Sequence, residues 1–167
     1  KIDIYALDKE INKAERDVRK KVMKHLILSG DAQLTSGLAL VSVVIDIERI
    51  GDYTKNIFDL ARRHPKRLNA GSLEVQLSAL EEHTSKVFHD TIEAFKNSDE
   101  SLARKVMDDY KEDISAESEN MTDDVIGGTV SDLKSPEAAA VVLYARFLKR
   151  IGSHSRNIAT SIVNPFH

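Results

Sequence analysis

Two carboxylates lie four residues apart in a segment with helical apolar spacing, Glu48 and Asp52. Residues at i and i+4 lie on one face of a helix, with Cβ atoms roughly 5–6 Å apart. Carboxylate oxygens in this arrangement suit hard cations such as iron, manganese, magnesium or calcium. A single pair supplies too few ligands, and the preceding helix offers Glu15 as a further one. The spacing therefore predicts a metal site formed by Glu48, Asp52 and Glu15.

The same carboxylates have a plainer interpretation as members of ion pairs. Arg19 lies four residues after Glu15 and therefore on its face of the helix, and Arg16 is adjacent to Glu15. Either arginine would neutralise Glu48 or Asp52 across the helix interface. From the residues alone we prefer these ion pairs to a bound metal ion, and both interpretations stay open.

The segment that carries the carboxylates occurs twice in the chain. The second copy begins 101 residues after the first, and the repeated elements are Arg49-Ile50-Gly51 with Asn56-Ile57 and Arg150-Ile151-Gly152 with Asn157-Ile158. Such a repeat indicates a duplicated helical unit. Glycine within a helix costs about 1 kcal/mol relative to alanine, so the two glycines predict close approach of a neighbouring helix backbone. The two asparagines predict buried hydrogen bonds between helices.

The two copies differ where the chemistry is expected. Lys149 and Ser153 replace Glu48 and Asp52, and neither provides a carboxylate. A metal cluster is therefore not expected in the second copy. Lys149 is instead expected to pair with an acid of the preceding helix, and the candidates are Glu119 and Asp123.

Five long helices must position these residues, and the fold class is predicted to be all-α. Apolar side chains recur at spacings of three, four and seven, and no segment is predicted as a strand. The predicted helices cover about residues 2–28, 34–63, 71–96, 99–126 and 135–163. Gly30-Asp31 is expected to separate the first two, Asp99 to cap the fourth, and Ser135 to cap the fifth with Pro136 in its first turn.

The position of the motif within this series defines the repeating unit. The motif lies in the second and the fifth helix, and two helices separate its copies, so the unit is three helices with the motif in the last. The first repeat, residues 1–70, then has two helices and lacks its initial one, whereas the second repeat, residues 71–167, has three. The chain also starts at Lys1 rather than at methionine, and we expect a preceding segment.

Composition excludes several classes of function. The absence of cysteine excludes disulfide scaffolds, thiolate metal sites and cysteine nucleophiles. Only 5% of residues are aromatic, and no concentrated basic surface is evident, which argues against nucleic-acid binding. No phosphate-binding loop, nucleophile elbow or zinc-protease motif is present in the sequence. We therefore do not expect an enzyme.

The duplicated motif resembles that of the PhoU family, and the resemblance extends over essentially the whole chain. It rests on Glu48-Arg49-Ile50-Gly51-Asp52 with Asn56-Ile57 and on the second copy from Lys149 to Ile158. The segment from Asp8 to Asn12, with Glu15, is similar to the start of the second helix of the family's first unit. Asp113-Ile114, with Glu117 and Glu119, is a looser counterpart. The family's plan is two three-helix bundles side by side, which agrees with the helix count.

The resemblance implies regulation rather than catalysis. PhoU proteins are cytoplasmic modulators of phosphate uptake and phosphate-responsive signalling, and they act on an ABC-type phosphate transporter and a membrane sensor histidine kinase. The implied protein is cytoplasmic and peripheral to the membrane through these partners, and we expect a homodimer. Some members bind iron or zinc clusters through pairs of acidic residues four apart, a pattern that Glu48 and Asp52 match and Glu15 matches in part.

Two alternatives accompany this interpretation. One is a metal-binding protein of the same kind that uses the carboxylate site with iron, zinc or another divalent metal. The other is the soluble tail of a sodium–phosphate cotransporter, because related domains are fused to such transporters.

Overall fold

The chain is all-α, as the sequence predicts. The computed structural model describes residues 2–29, 33–64 and 66–164, and it contains no strand within these ranges. The helices are α1 (Ile4–Ser29), α2 (Leu34–Arg63), α3 (Glu74–Asn97), α4 (Glu100–Asp109), α5 (Ala116–Ile126) and α6 (Ser135–Val163). A π-helical segment, Tyr110–Ser115, joins α4 to α5 in one continuous rod. The five predicted helices are therefore confirmed, with bounds that agree within about three residues.

Local chemistry accounts for the two ends of the rod formed by α4 and α5. The Asp99 side chain accepts a hydrogen bond from the backbone N–H of Leu102 across 3.0 Å, and so satisfies one of the unpaired donors at the start of α4. Beyond the other end, Gly128 has a φ of 75°, a left-handed conformation that favours glycine. The helix begins after Asp99 and ends at Ile126, as the predicted range of 99–126 has it.

One predicted cap is wrong. Lys134 occupies the N-cap position of α6, its side chain makes no capping hydrogen bond, and Ser135 is already the first helical residue. Pro136 does lie in the first turn, where its missing N–H would have had no helical partner. The predicted break at Gly30-Asp31 lies outside the described residues.

The two helices that carry the motif pack against each other at the centre of the molecule. α3 and α4 pack on α6, whereas α1 packs chiefly on α2. A buried apolar cluster joins α2 to α6 through Val43, Ile50, Ile151 and Ile158. Because Ile50 and Ile151 are the same position in the two copies, the motif helices meet through equivalent surfaces, as around an approximate two-fold axis.

The larger core belongs to the second unit. It is built from an apolar stripe on α3, the inward face of the α4–α5 rod and the matching stripe of α6. Its fully buried members include Leu80, Val106, Ile114, Met121 and Val141. The two repeats are thus two packed helices and a three-helix bundle, and we keep a division between residues 70 and 71 as a prediction. Within the described ranges, every helix is too short or too polar to cross a bilayer.

Candidate functional site

Four carboxylates gather where α1 packs on α2. Glu48 and Asp52 project from α2, and Asp8 and Glu15 lie on α1. The pKa of Glu48 is raised above its ordinary value, first by burial and then by the negative charge of Asp52, with smaller contributions from Glu15 and Asp8. Arg49 acts in the opposite direction. Of the three residues predicted as metal ligands, Asp52 and Glu15 thus lie close enough to Glu48 for their charges to raise its pKa.

Two cations of α2 form ion pairs with carboxylates of this group. The Arg49 side chain lies 3.3 Å from Asp52 and 3.6 Å from Glu48. The Lys55 ammonium donates to Asp8 across 2.6 Å and to Asp52 across 3.2 Å. The hydrogen bond from Lys55 to Asp8 is the main reason why the pKa of this lysine is raised. Lys55 thereby ties α1 to α2.

Glu48 and Asp52 do form ion pairs, but the arginines predicted as their partners are wrong. Arg19 pairs with Glu15 of its own helix, with 2.8 Å between guanidinium nitrogen and carboxylate oxygen. Within the described ranges, Arg16 forms no ion pair with Glu48 or Asp52. The cations that pair with Asp52, Arg49 and Lys55, come from α2 because residues three positions apart on one helix are already neighbours.

A metal ion at these carboxylates would compete with the cations that already pair with them. Among residues 2–29, 33–64 and 66–164, no three acidic or histidine side chains converge at the spacing that a metal ion needs. Lys55 and Arg49 already occupy oxygens of Asp52 and Asp8, so a divalent cation would have to displace them. The metal site at Glu48, Asp52 and Glu15 stays a prediction.

The second copy carries an ion pair where the first carries its carboxylates. The Lys149 ammonium donates to Glu119 of α5, as the sequence predicts. Lys149 corresponds to Glu48 and Ser153 to Asp52. The second unit therefore replaces a cluster of negative charge by one neutralised pair.

The repeated glycines have a packing role that is duplicated. A Cβ on Gly51 would lie 3.2 Å from the Ile11 side chain of α1, and a Cβ on Gly152 would lie 3.1 Å from that of Ile114. The predicted backbone approach is wrong, because in each unit the neighbour is an isoleucine side chain. The same isoleucine-on-glycine contact thus joins the last two helices of both units.

A polar cluster between the two units was missed by sequence reasoning. Tyr53 and His154 stack with ring centroids 5.8 Å apart. Asp46 lies 2.7 Å from Nδ1 of His154, and Arg150 lies 3.2 Å from its Nε2. Because arginine only donates, Nε2 accepts and Nδ1–H donates to Asp46. The missed signal was that Tyr53 and His154 occupy equivalent positions of the repeat, so a two-fold contact brings them together.

The predicted role of the asparagines is confirmed in part for Asn157. Its side-chain amide donates to Asp46 across 3.2 Å and so links α6 to α2. Asn157 is exposed, however, so its hydrogen bond is not buried. Asn56 is half-buried, and its role stays a prediction.

Comparison with known proteins places both units in one family. The family model described as PhoU domain matches residues 2–61 and 77–162. The phosphate-specific transport system accessory protein PhoU homolog of Pseudomonas putida is 28% identical over 165 residues, which are 94% of this chain and 62% of that protein. The phosphate-specific transport system accessory protein PhoU of Escherichia coli K12 is 27% identical over 162 residues, 93% of this chain and 65% of that protein.

A solved structure shares the fold. The crystal structure of the phosphate transport system regulatory protein PhoU from Streptococcus pneumoniae matches with a TM-score of 0.82 at 20% identity. The match covers 97% of this chain and 76% of the other. The chain spans somewhat less than two thirds of the length of these relatives from Pseudomonas and Escherichia.

Proposed function

The chain belongs to the PhoU domain family, and we propose that it is a cytoplasmic regulator of phosphate uptake and phosphate-responsive signalling that acts by binding other proteins. The observation that carries this proposal is the family match over both units. The relatives are named as accessory proteins of a phosphate-specific transport system, so the proposed role is that of an accessory component rather than of an enzyme.

The geometry supports a binding role in a specific way. What the two copies of the motif share is packing, because each has an isoleucine seated on a glycine. What they do not share is chemistry, because the carboxylates of Glu48 and Asp52 are replaced in the second unit. A duplicated scaffold that presents long helical faces suits recognition of protein surfaces. We propose a phosphate ABC transporter or a phosphate sensor histidine kinase as the partner, and a homodimer as the active form.

The alternative of a cotransporter tail is less well supported. The relatives are named for a phosphate-specific transport system, and none of the names above refers to a sodium-coupled carrier. The metal-binding alternative has only the crowding of Glu48 with neighbouring carboxylates in its favour.

Chemical crosslinking in the native host tests the proposal. The tagged chain is expressed in cells grown with abundant phosphate, crosslinked, purified and analysed by mass spectrometry. We expect crosslinks to subunits of a phosphate transporter or to a phosphate sensor kinase, at levels well above those of an unrelated tagged helical protein. Recovery of neither partner, from cells in which both are present, would contradict the proposal.

A further inference from the structure

A group of basic side chains lies where α2 ends, namely Arg62, Arg63, His64, Lys66 and Arg67. Cations in the last turn of a helix stabilise it by interacting with its dipole, and the effect falls off within that turn. Arg62 and Arg63 are in the last turn of α2, so the dipole accounts for them. Lys66 and Arg67 lie beyond the end of the helix, and in the part of the chain that the structure describes neither forms an ion pair. Their charge needs another explanation.

Lys66 and Arg67 line a pocket between the end of α2 and the start of α6, here called the basic pocket. Its volume is about 500 Å³, and His64 lines it as well. Its apolar surface comes from Ile57, Leu60 and Ala61 of α2 and from Leu68, Ala140 and Tyr144. None of the described residues that line it is acidic. A cavity lined by charge of one sign attracts ligands of the opposite sign, so the basic pocket favours an anion.

The basic pocket lies on a different face of α2 from the contact with α1. Phe58 packs edge-on against Tyr5 of α1, with ring centroids 6.0 Å apart. Ile57, Leu60 and Ala61 are spaced three and four residues apart, so they share a face of the helix, and this face borders α6 in the pocket. The basic pocket therefore belongs to the seam between the two units.

The repeat provides an internal comparison, because the other end of the seam between α2 and α6 also forms a recess. Ala39 and Val43 line that recess at the positions equivalent to Ala140 and Tyr144 of the basic pocket. Its volume is about 250 Å³, its lining is mostly polar, and Asp46 is part of it. Equivalent geometry at the two ends thus carries different chemistry, and the basic pocket is the larger, the more apolar and the one without an acid.

Local contacts anchor the turn that carries the two cations. The backbone N–H of His64 donates to the carbonyl of Leu60 across 2.9 Å. Nδ1 of His64 lies 2.6 Å from the carbonyl oxygen of Lys66, and since a carbonyl only accepts, Nδ1 carries the proton. Leu68 packs against the main core of the second unit. Lys66 and Arg67 are therefore presented by a turn that is fixed on both sides.

The acids in the adjacent recess already have other partners. Glu74 and Glu81 line this recess, which shares Arg67 and Tyr144 with the basic pocket. Glu74 accepts a hydrogen bond from the backbone N–H of Ala70 across 2.9 Å. Burial first, and then the hydrogen bond with Glu81, raise the pKa of the Tyr144 hydroxyl, so Tyr144 brings no negative charge. The positive charge of Arg67 is thus left for a ligand.

We propose that the basic pocket binds a small organic anion in which an apolar chain ends in a phosphate or carboxylate group. Pockets for small ligands have volumes of roughly 300–1,000 Å³ and combine a mostly apolar lining with a few polar groups. The chain lies on the apolar surface, where burial is favourable in proportion to area. The anionic group pairs with Lys66 and Arg67, and an arginine can hold such a group through two parallel hydrogen bonds. The inference rests on the pocket and is independent of the proposed role in phosphate regulation.

Isothermal titration calorimetry of the intact chain with octyl phosphate tests the inference, at concentrations below those at which this probe forms micelles. We expect saturable binding of one molecule per chain. Inorganic phosphate supplies the anionic group alone and octanol the apolar chain alone. Each should bind at least roughly tenfold more weakly than octyl phosphate, because each makes only one of the two sets of contacts. Octyltrimethylammonium, which has the opposite charge, should not bind.

Three variants locate the binding site. Lys66→Gln/Arg67→Gln should weaken the binding of octyl phosphate by roughly tenfold or more, because it removes both cations that pair with the anionic group. Arg63→Gln/Lys20→Gln is the matched control, since it removes the same two types of exposed side chain from outside the pocket. It should change the affinity by less than about twofold at physiological salt, where exposed charges are screened over about 8 Å. Ala61→Asp places a negative charge in the pocket from an exposed position and should also weaken binding.

Several results would overturn the inference. These are the absence of saturable binding of octyl phosphate up to about 1 mM, an unchanged affinity of the Lys66→Gln/Arg67→Gln variant, or equal affinity for inorganic phosphate. Vesicles of an anionic phospholipid form a separate arm. Sedimentation of the chain with these vesicles, without binding of monomeric octyl phosphate, would show that the cations recognise a membrane surface, which would also overturn the inference. Crosslinking to a phosphate transporter is measured separately, so either hypothesis can fail alone.

Discussion

The two repeated glycines predict opposite responses to the same substitution. A Cβ on Gly152 would meet three side-chain atoms at 3.1 Å, two from Ile114 and one from Tyr110. Ile114 is 0% exposed and Tyr110 is 9% exposed, so neither can move aside. A Cβ on Gly51 would meet one atom of Ile11 at 3.2 Å and the next at 3.7 Å. Ile11 lines an apolar groove of about 480 Å³ between α1, α2 and α3, and it therefore has room to shift.

The magnitudes follow from two competing terms. Replacing glycine by alanine within a helix stabilises it by about 1 kcal/mol, and overpacking a closed core costs roughly 1–3 kcal/mol. For Gly152→Ala, three simultaneous close contacts put the cost near the upper end of that range, and we expect a net loss of about 1–2 kcal/mol. For Gly51→Ala the contact is relieved by a small movement of Ile11, and we expect a gain of about 0.5 kcal/mol.

Urea unfolding followed by circular dichroism measures both variants against the unmodified chain. The two midpoints should move in opposite directions, with unchanged dependence on denaturant concentration. In thermal unfolding, Gly152→Ala should lower the midpoint by about 2–8 °C. Stabilisation by Gly152→Ala, or a destabilisation by Gly51→Ala as large as that by Gly152→Ala, would contradict this prediction.

Three further predictions concern the polar groups of the first unit. Because the pKa of Glu48 is raised, its ionisation opposes folding. Glu48→Gln should therefore raise the free energy of unfolding at pH 7, and this gain should disappear below about pH 4, where Glu48 is protonated in both states. A gain in stability that persists in acid would refute this. Asp46→Ala should lower the free energy of unfolding in urea by about 1–3 kcal/mol, because it leaves the Nδ1–H of His154 without its acceptor. Asp46→Asn should lower it by less. If the carboxylate site binds a metal, elemental analysis of protein purified without chelators will find iron, zinc or another divalent ion. The Glu48→Gln/Asp52→Asn variant should have lost this metal, and equal metal content in both proteins would contradict the hypothesis.

The helices could be predicted from the sequence because their signals are local. Apolar spacing defines the helical faces. Asp99 and the Gly127-Gly128 pair lie at the two ends of the α4–α5 rod. The π-helical segment at Tyr110–Ser115 could not be predicted in this way. It lies where Tyr110 and Ile114 pack against Gly152, so its signal involves residues far away in the chain.

The candidate site could be predicted only in part, for a related reason. Local spacing places Glu48 and Asp52 on one face, but the register of α1 against α2 decides which charges meet. That register places Asp8 opposite Lys55. The two residues are 47 positions apart in the sequence, and no motif predicts their contact. The contact between Tyr53 and His154 likewise follows from the symmetry of the repeat, which becomes visible only when the two copies are aligned and packed.

The proposed role of the chain in phosphate uptake is tested most directly by measuring uptake itself. Labelled phosphate is followed in native-host cells that lack the chain and in cells that express it again. We predict that loss of the chain changes the rate of uptake in abundant phosphate and that re-expression restores it. An uptake rate that stays the same with and without the chain, at both high and low phosphate, would contradict the account.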